Sequence, residues 1–286
     1  MRFGVHVPVG GGLARAVARA VELGCETIQI FSGNPRGWRS GPVPQPAGDQ
    51  FRAALAREGI APLVVHAIYL INPASSKDDI REKSVAALAE LLGRCVALDA
   101  AYLVLHPGSH GGDGVAAGAR RAGEALAEAW SRAGKPGRPT ILLENVAGGG
   151  MLVGGTPGEL AAIREAAGEL GPRLGVCLDS CHAFAAGYDV RRTTGWERLL
   201  AEVEQAWWPG AVKVIHANDS VGGLGSHRDR HTHLGQGAIG EEGFRAMMVQ
   251  PALRGLPVLL ETPQDDPGHD VRNLKTLRRL WQEVTS

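Results

Sequence analysis

Apolar residues in this chain gather in short runs at regular intervals. Eight of them stand out: FGVHV (3–7), TIQIF (27–31), LVVH (63–66), YLVLH (102–106), TILLE (140–144), LGVCLD (174–179), VKVIH (212–216) and PVLLE (257–261). Their length and their Val, Ile and Leu content predict β-strands, and their nearly unbroken apolar character predicts strands covered on both faces. Longer stretches with helical spacing lie between them, among them LARAVARAVELG (13–24), DDIREKSVAALAELLGRCVALD (78–99) and VRNLKTLRRLWQEV (271–284). Eight strands alternating with helices predict a parallel sheet closed into a (β/α)₈ TIM barrel. An open doubly wound sheet is the rival, but no GxGxxG follows the first strand.

The last residue of six successive runs is His66, His106, Glu144, Asp179, His216 and Glu261. Taken singly, such a residue is most simply a cap or a salt-bridging group. A barrel changes that, because its C-terminal strand ends converge on one cavity. Unpaired buried carboxylates are costly, and a shared set of cations is the simplest compensation. His182 follows Asp179 by three residues, and RDRHTH (228–233) sets Asp229 two residues before His231, so an extended backbone would project both to one side. His233 continues that alternation and competes with His231. Nine ligands exceed what one zinc ion takes; three ions fit if one carboxylate bridges.

The stretch VCLDSCH (176–182) also contains Cys177 and Cys181. A closed cysteine site would be structural, whereas Asp179 with His182 suits an open, hydrolytic one. We assign the cysteines to packing: Cys177 points to the opposite side of its strand from its neighbours, and Cys181 is a small turn residue. With Cys25 and Cys95 they are expected to be reduced thiols, since a chain of 286 residues buries a core without disulfides. That length also predicts one domain. No apolar stretch is long enough to span a bilayer and no signal-peptide core follows Met1, so a soluble, cytoplasmic monomer is expected. Thirty basic residues balance thirty acidic ones, leaving no net basic field to attract nucleic acid.

Several motifs together make the chain resemble the endonuclease IV family of abasic-site DNA repair nucleases over nearly its whole length. They are GVHVPVGGGL (4–13), FSGNPRGWR (31–39), HAIYLINPAS (66–75), HPGSH (106–110), ENVAGGG (144–150), GVCLDSCHAFAAGYD (175–189), HANDS (216–220), DRHTHLGQGAIG (229–240) and LETP (260–263). The resemblance implies a TIM barrel holding three Zn²⁺ ions, with Mn²⁺ possible at some positions. His66, His106 and Glu144 would hold the first. Glu144 would bridge to a second, held also by Asp179, His216 and Glu261. His182, Asp229 and His231 would hold the third, which favours His231 over His233. Glu144 and Glu261 would flank the attacking hydroxide. Arg36 and Tyr69 match residues that insert into DNA at the lesion, and Trp38 and Arg39 share the loop of Arg36. Family members usually have Thr at Ser180, Leu at Ala217, and Thr and Gln at Val146 and Gly149, none of them a ligand.

The implied reaction is hydrolysis 5′ to an abasic nucleotide in duplex DNA, together with removal of 3′ blocking groups. Three divalent ions against four ligand carboxylates leave a local charge of about +2, which supplies the attraction that the neutral chain lacks. His6, at the end of the first run, is expected to face the cavity without binding metal; His110, His227 and His269 are expected to be solvated or to support the ligands. The alternative is a metal-dependent sugar isomerase or epimerase on the same barrel, which needs about four ligands. Stripping the ions is expected to abolish DNA affinity as well as activity, which a binding titration with and without chelator would measure.

Overall fold

The computed structural model describes every residue except Arg36 and Arg39, so those two expected DNA contacts lie outside the described residues. Eight parallel strands close into a barrel: β1 (Arg2–His6), β2 (Thr27–Ile30), β3 (Leu63–His66), β4 (Tyr102–Leu105), β5 (Thr140–Glu144), β6 (Leu174–Asp179), β7 (Val212–His216) and β10 (Pro257–Leu260). Each pairs with its neighbour in sequence, and β10 closes the ring onto β1. Two further strands, β8 (Asp219–Ser220) and β9 (His231–Thr232), form a small antiparallel hairpin after β7.

The strands appear where the apolar runs predict them, with informative differences at their ends. Strand β4 stops before His106, which is followed by Pro107, a residue without the N–H a ladder needs. Strand β10 stops before Glu261, whose amide donates instead to Asn218 Oδ1 at 2.8 Å. Both residues therefore stand just beyond their strands, on the loop side. Between β6 and β7 the register shifts at Val176/Cys177, and beyond that bulge Asp179 stands opposite His216. Bulges re-aim side chains; this one brings two site residues level.

The outer helices are α1 (Leu13–Glu22), α2 (Gln45–Arg57), α3 (Asp78–Leu98), α4 (Val115–Arg132), α5 (Pro157–Ala166), α6 (Ser180–Ala185), α7 (Thr193–Ala206), α8 (Gly240–Met248) and α9 (His269–Thr285). Helix α3 ends one residue early because Asp99 turns into the left-handed conformation at its cap. Inside the barrel, six strands contribute one residue each to a small plug of Val64, Val104, Leu142, Cys177, Val214 and Leu259. Cys177 is therefore a packing residue. The larger core lies between the barrel wall and the helices. No described helix is long and apolar enough to cross a membrane.

The plug fills the barrel with apolar side chains, and the charged donors gather at the C-terminal strand ends. Closure at β1–β2 depends on Gly4, where an added methyl would collide with the Thr27 carbonyl. Gly4→Ala is expected to destabilise the fold by about 3 kcal/mol, measured as a shift in the urea midpoint at unchanged m-value.

Candidate metal centre

Glu144, at the end of β5, is fully buried, and imidazoles surround both of its carboxylate oxygens. Oε2 lies 3.1 Å from His66 Nε2 and 3.2 Å from His106 Nε2; Oε1 lies 3.0 Å from His216 Nδ1 and 3.3 Å from His182 Nδ1. Groups of donor atoms overlap in this region, and three of them take in all nine candidate ligands without a cysteine. His66, His106 and Glu144 form one, Glu144, Asp179, His216 and Glu261 a second, and His182, Asp229 and His231 a third, the atoms in each lying within 4.8 Å of one another. In the third set Asp229 offers Oδ2 to His182 Nε2 and Oδ1 to His231 Nε2, both at 3.2 Å. All nine residues singled out in the sequence meet here.

The imidazoles are oriented from behind. His66 Nδ1 donates to the Ala67 carbonyl (2.7 Å), His182 Nδ1 to that of Asn145 (2.9 Å), His231 Nδ1 to that of Glu261 (3.1 Å), and His216 Nε2 to Gln29 Oε1 (2.9 Å). One ring nitrogen of each is thereby committed, and the other aims at the carboxylates. A neutral imidazole in that pose turns a lone pair toward a carboxylate, which repels it unless a proton or a metal cation stands between. Without metal, protons do so. Burial opposes the charged forms, yet the facing carboxylates outweigh it at His66 and His182, which are raised, and at His231, which rises to about 9; at His216, also raised, Cys177 acts together with Glu261 and Glu144. Burial likewise works against the anions, but the imidazoles hold Glu144, Glu261 and Asp229 far below the usual carboxylate range. Even so, the buried Nε2 atoms of His182 and His231 make no hydrogen bond, although an Asp229 oxygen lies 3.2 Å from each. The donor set and these two orphaned nitrogens fit divalent cations, which would displace the protons on binding.

The cysteines do not fit that role. Cys177 and Cys181 lie near the donors, but Cys177 is packed into the apolar plug and the Cys181 thiol donates to the Arg230 carbonyl at 3.7 Å. His233 is turned away: its Nε2 meets Asp265 at 3.1 Å and its Nδ1 accepts from Asn273. His6 faces Glu261 at 3.7 Å with its ring against Phe31. His110, expected to be solvated or supporting the ligands, is buried elsewhere and accepts the amides of Gly112 and Gly114 as the organiser of its own loop.

Beside the centre opens a cavity of about 250 Å³ whose wall includes His66, Tyr69, Asn72, Ser109, Leu152 and Asp229. Tyr69 stands exposed on this rim, edge-on to Phe31. Trp38 is half-buried against the main core and, with Arg94, lines a smaller cavity beneath its loop.

A family model described as a xylose isomerase-like TIM barrel matches residues 17–283. A probable endonuclease 4 of Methanoculleus marisnigri is 46% identical over 277 residues, covering 97% of this chain and 98% of that one. The crystal structure of endonuclease IV from Thermus thermophilus superposes with a TM-score of 0.87 at 40% identity, covering 99% of this chain and 100% of the other. The chain belongs to the endonuclease IV family. A D-tagatose 3-epimerase-like protein superposes with a TM-score of 0.75 at 20% identity over 100% of this chain and 98% of that one, a likeness of fold alone.

Beyond the nine residues, this member of the endonuclease IV family relies on a buried polar shell that sequence reasoning missed. Asn145 holds Asp179 through both its amide and its carbonyl (2.7 and 3.1 Å). Asn218 donates to Asp179 Oδ2 at 2.6 Å, and Gln29 to Glu261 Oε1 at 2.5 Å. Asp219 is a hub, its carboxylate accepting the amides of Ser220, Gly235, Gly237, Ile239 and Gly240. A methyl on Gly237 would run into that carboxylate. Asp219 thus ties down the return limb of the loop that carries Asp229 and His231. Gln29 alone gave a signal, as an amide inside an otherwise apolar strand. Asp219→Asn places N–H groups against N–H groups. It is expected to speed amide exchange at 235–240 and to weaken binding of the most labile divalent ion about 10–100-fold, read by chelator competition.

Proposed function

We propose that this chain hydrolyses the phosphodiester 5′ to abasic sites in duplex DNA, leaving a 3′-hydroxyl and a 5′-deoxyribose phosphate, and that it clears 3′ blocking groups with the same site. The observation that carries this reading is the Glu144 carboxylate, shared between two donor sets while a third, His182, Asp229 and His231, adjoins it through the His182 ring, whose Nδ1 lies 3.3 Å from Oε1. An epimerase barrel has use for one such set, not three. The names of the relatives, which cover this chain almost end to end, point the same way.

His66, His106 and Glu144 would hold one cation, Glu144, Asp179, His216 and Glu261 a second, and His182, Asp229 and His231 a third, with zinc the best match to the nitrogen-rich donors. When bound, such ions supply a water acidic enough to ionise near neutral pH and positive charge against the phosphodiester. The rest falls to the chain. Gln29 and Asn218 fix Glu261 and Asp179 so that no carboxylate must reorient during the reaction. Asn72, Ser109 and Tyr69 line the adjoining cavity, where an extruded sugar phosphate would sit. Extrusion is cheapest where no base is stacked, which gives the selectivity for abasic sites. The loops at this face, with Arg36, Trp38, Arg39 and Tyr69, are the proposed duplex contacts.

The test is a count of metal in the purified protein, paired with an incision assay on a duplex bearing one tetrahydrofuran site, without added magnesium. About three tightly held ions and a single cut 5′ to the analogue are expected. Glu144→Gln should lower kcat by more than about 100-fold, beyond the range of an outer-shell change. One ion, an intact duplex and turnover of a ketose would overturn the reading in favour of an epimerase.

A further inference from the structure

At the opposite end of the barrel from the metal centre, a second cavity of about 290 Å³ opens beside the starts of β5, β6 and β7. Its wall includes Trp130, Ile141, Leu170, Arg173, Trp208 and Lys213, with three prolines among the rest. Thr140 and Leu174, which begin β5 and β6, lie in the same wall, whereas Glu144 and Asp179 end those strands. Roughly 13–17 Å of strand, at about 3.3 Å per residue, therefore separates the two places. No part of the chemistry above reaches this far.

The cavity is cationic without a counter-charge. Arg173 and Lys213 line it, and no Asp or Glu does. Neither makes an ion pair or a side-chain hydrogen bond among the described residues; Arg173 lies over the Trp130 ring, 5.7 Å from its centre. Two acids that precede Arg173 are already engaged, Glu169 with Lys135 at 2.6 Å and Glu165 with Arg164 at 3.8 Å. The Trp208 indole N–H has no acceptor among the described residues either, although those of Trp130 and Trp207 reach the carbonyls of Pro136 and Pro157.

A specific backbone device places Lys213 here. Val212 pairs with Val176 and Val214 with Cys177, so Lys213 is the extra residue of the β6–β7 bulge and has no partner on β6. Bulges re-aim side chains and gather beside functional sites. Gly175 makes room for the lysine stem: a methyl there would come within 2.7 Å of Leu142 and stand 3.4 Å from Lys213 Cγ. Lys213 is half-buried, so its ammonium gives up part of its water and gains no protein partner in return. One bulge thus serves both ends of β7, setting His216 opposite Asp179 at one and a free ammonium at the other.

We infer that this cavity is a second binding site, for a phosphate monoester carried on a ring-bearing body of about nucleoside size. Lys213, Arg173 and the Trp208 N–H are the donors, and a phosphate with three terminal oxygens can use three donors brought from separate parts of the chain. The prolines, Ile141 and Leu170 offer the ring an apolar wall. Cavities for small ligands begin at about 300 Å³, so a mononucleotide suits this space and bare phosphate underfills it. The site shares no residue with the metal centre and stands whether or not the nuclease reading does.

The test follows the indole ¹⁵N–H signals of the six tryptophans in the metal-loaded protein during titration with adenosine 5′-monophosphate. The Trp208 signal is expected to move and saturate as its N–H gains an acceptor. Trp38, whose cavity also takes in His66, reports separately on binding at the metal-centre face. Lys213→Ala and Arg173→Ala should each weaken the Trp208 response at least about tenfold, as for loss of a charge-assisted hydrogen bond, with incision of the tetrahydrofuran duplex at the wild-type level. Arg173 is exposed, so its variant keeps the fold where Lys213→Ala disturbs the bulge. Adenosine and inorganic phosphate should each bind at least about tenfold more weakly than the monophosphate. A still Trp208 signal, or a response that both variants retain, overturns the site. Equal affinity for inorganic phosphate overturns the ring-bearing ligand, and equal affinity for benzoate overturns phosphate in favour of a carboxylate.

Discussion

A fully buried carboxylate among four imidazoles sets the terms for this protein. Glu144 cannot be solvated by water where it stands, and an isolated anion there would cost several kcal/mol. Both oxygens must face positive charge, and only the convergence of β3, β4, β5, β6 and β7 brings enough of it. The apolar plug beneath keeps that charge at one end of the barrel. Fold and chemistry are thus coupled: the same strand register that closes the sheet also sets His216 opposite Asp179 and beside Glu144.

Around this centre the structure is layered by what each residue may exchange. His66, His182, His216 and His231 each commit one nitrogen to a carbonyl or amide oxygen, so their tautomers follow from their neighbours and not from pH alone. Asn218 and Gln29 in turn hold the carboxylates, and Asn145 holds the backbone of Asp179. Asp219 works one step further out, on backbone amides, and links the third donor set to the course of a long loop. Each layer has fewer degrees of freedom than it would alone, which is the physical content of a preorganised site.

Much of this was legible in the sequence because strands have a sharp signature and ligands a small alphabet. His66, Glu144, Asp179 and His216 end apolar runs, and the barrel then dictates that they meet. His231 could not be chosen over His233 from alternation alone; the choice turns on Asp265 and Asn273, which approach His233 from distant parts of the chain. The outer amides were hidden because Asn after a strand reads as a turn residue. Asp179 has a double role, as candidate ligand and as the N-cap that accepts the His182 amide and starts α6, and a six-residue helix leaves no periodic trace. His110 looked like a solvated residue because its partners are backbone amides, which carry no sequence identity.

Exposure rises outward across the centre, from Glu144 at 0% to His106 at 30% and Asp229 at 50%. A cation held by the outer residues would meet solvent directly, whereas one beneath them would be reached only past those residues. The donor sets would then differ in how readily a chelator reaches them, with the rim stripped before the floor.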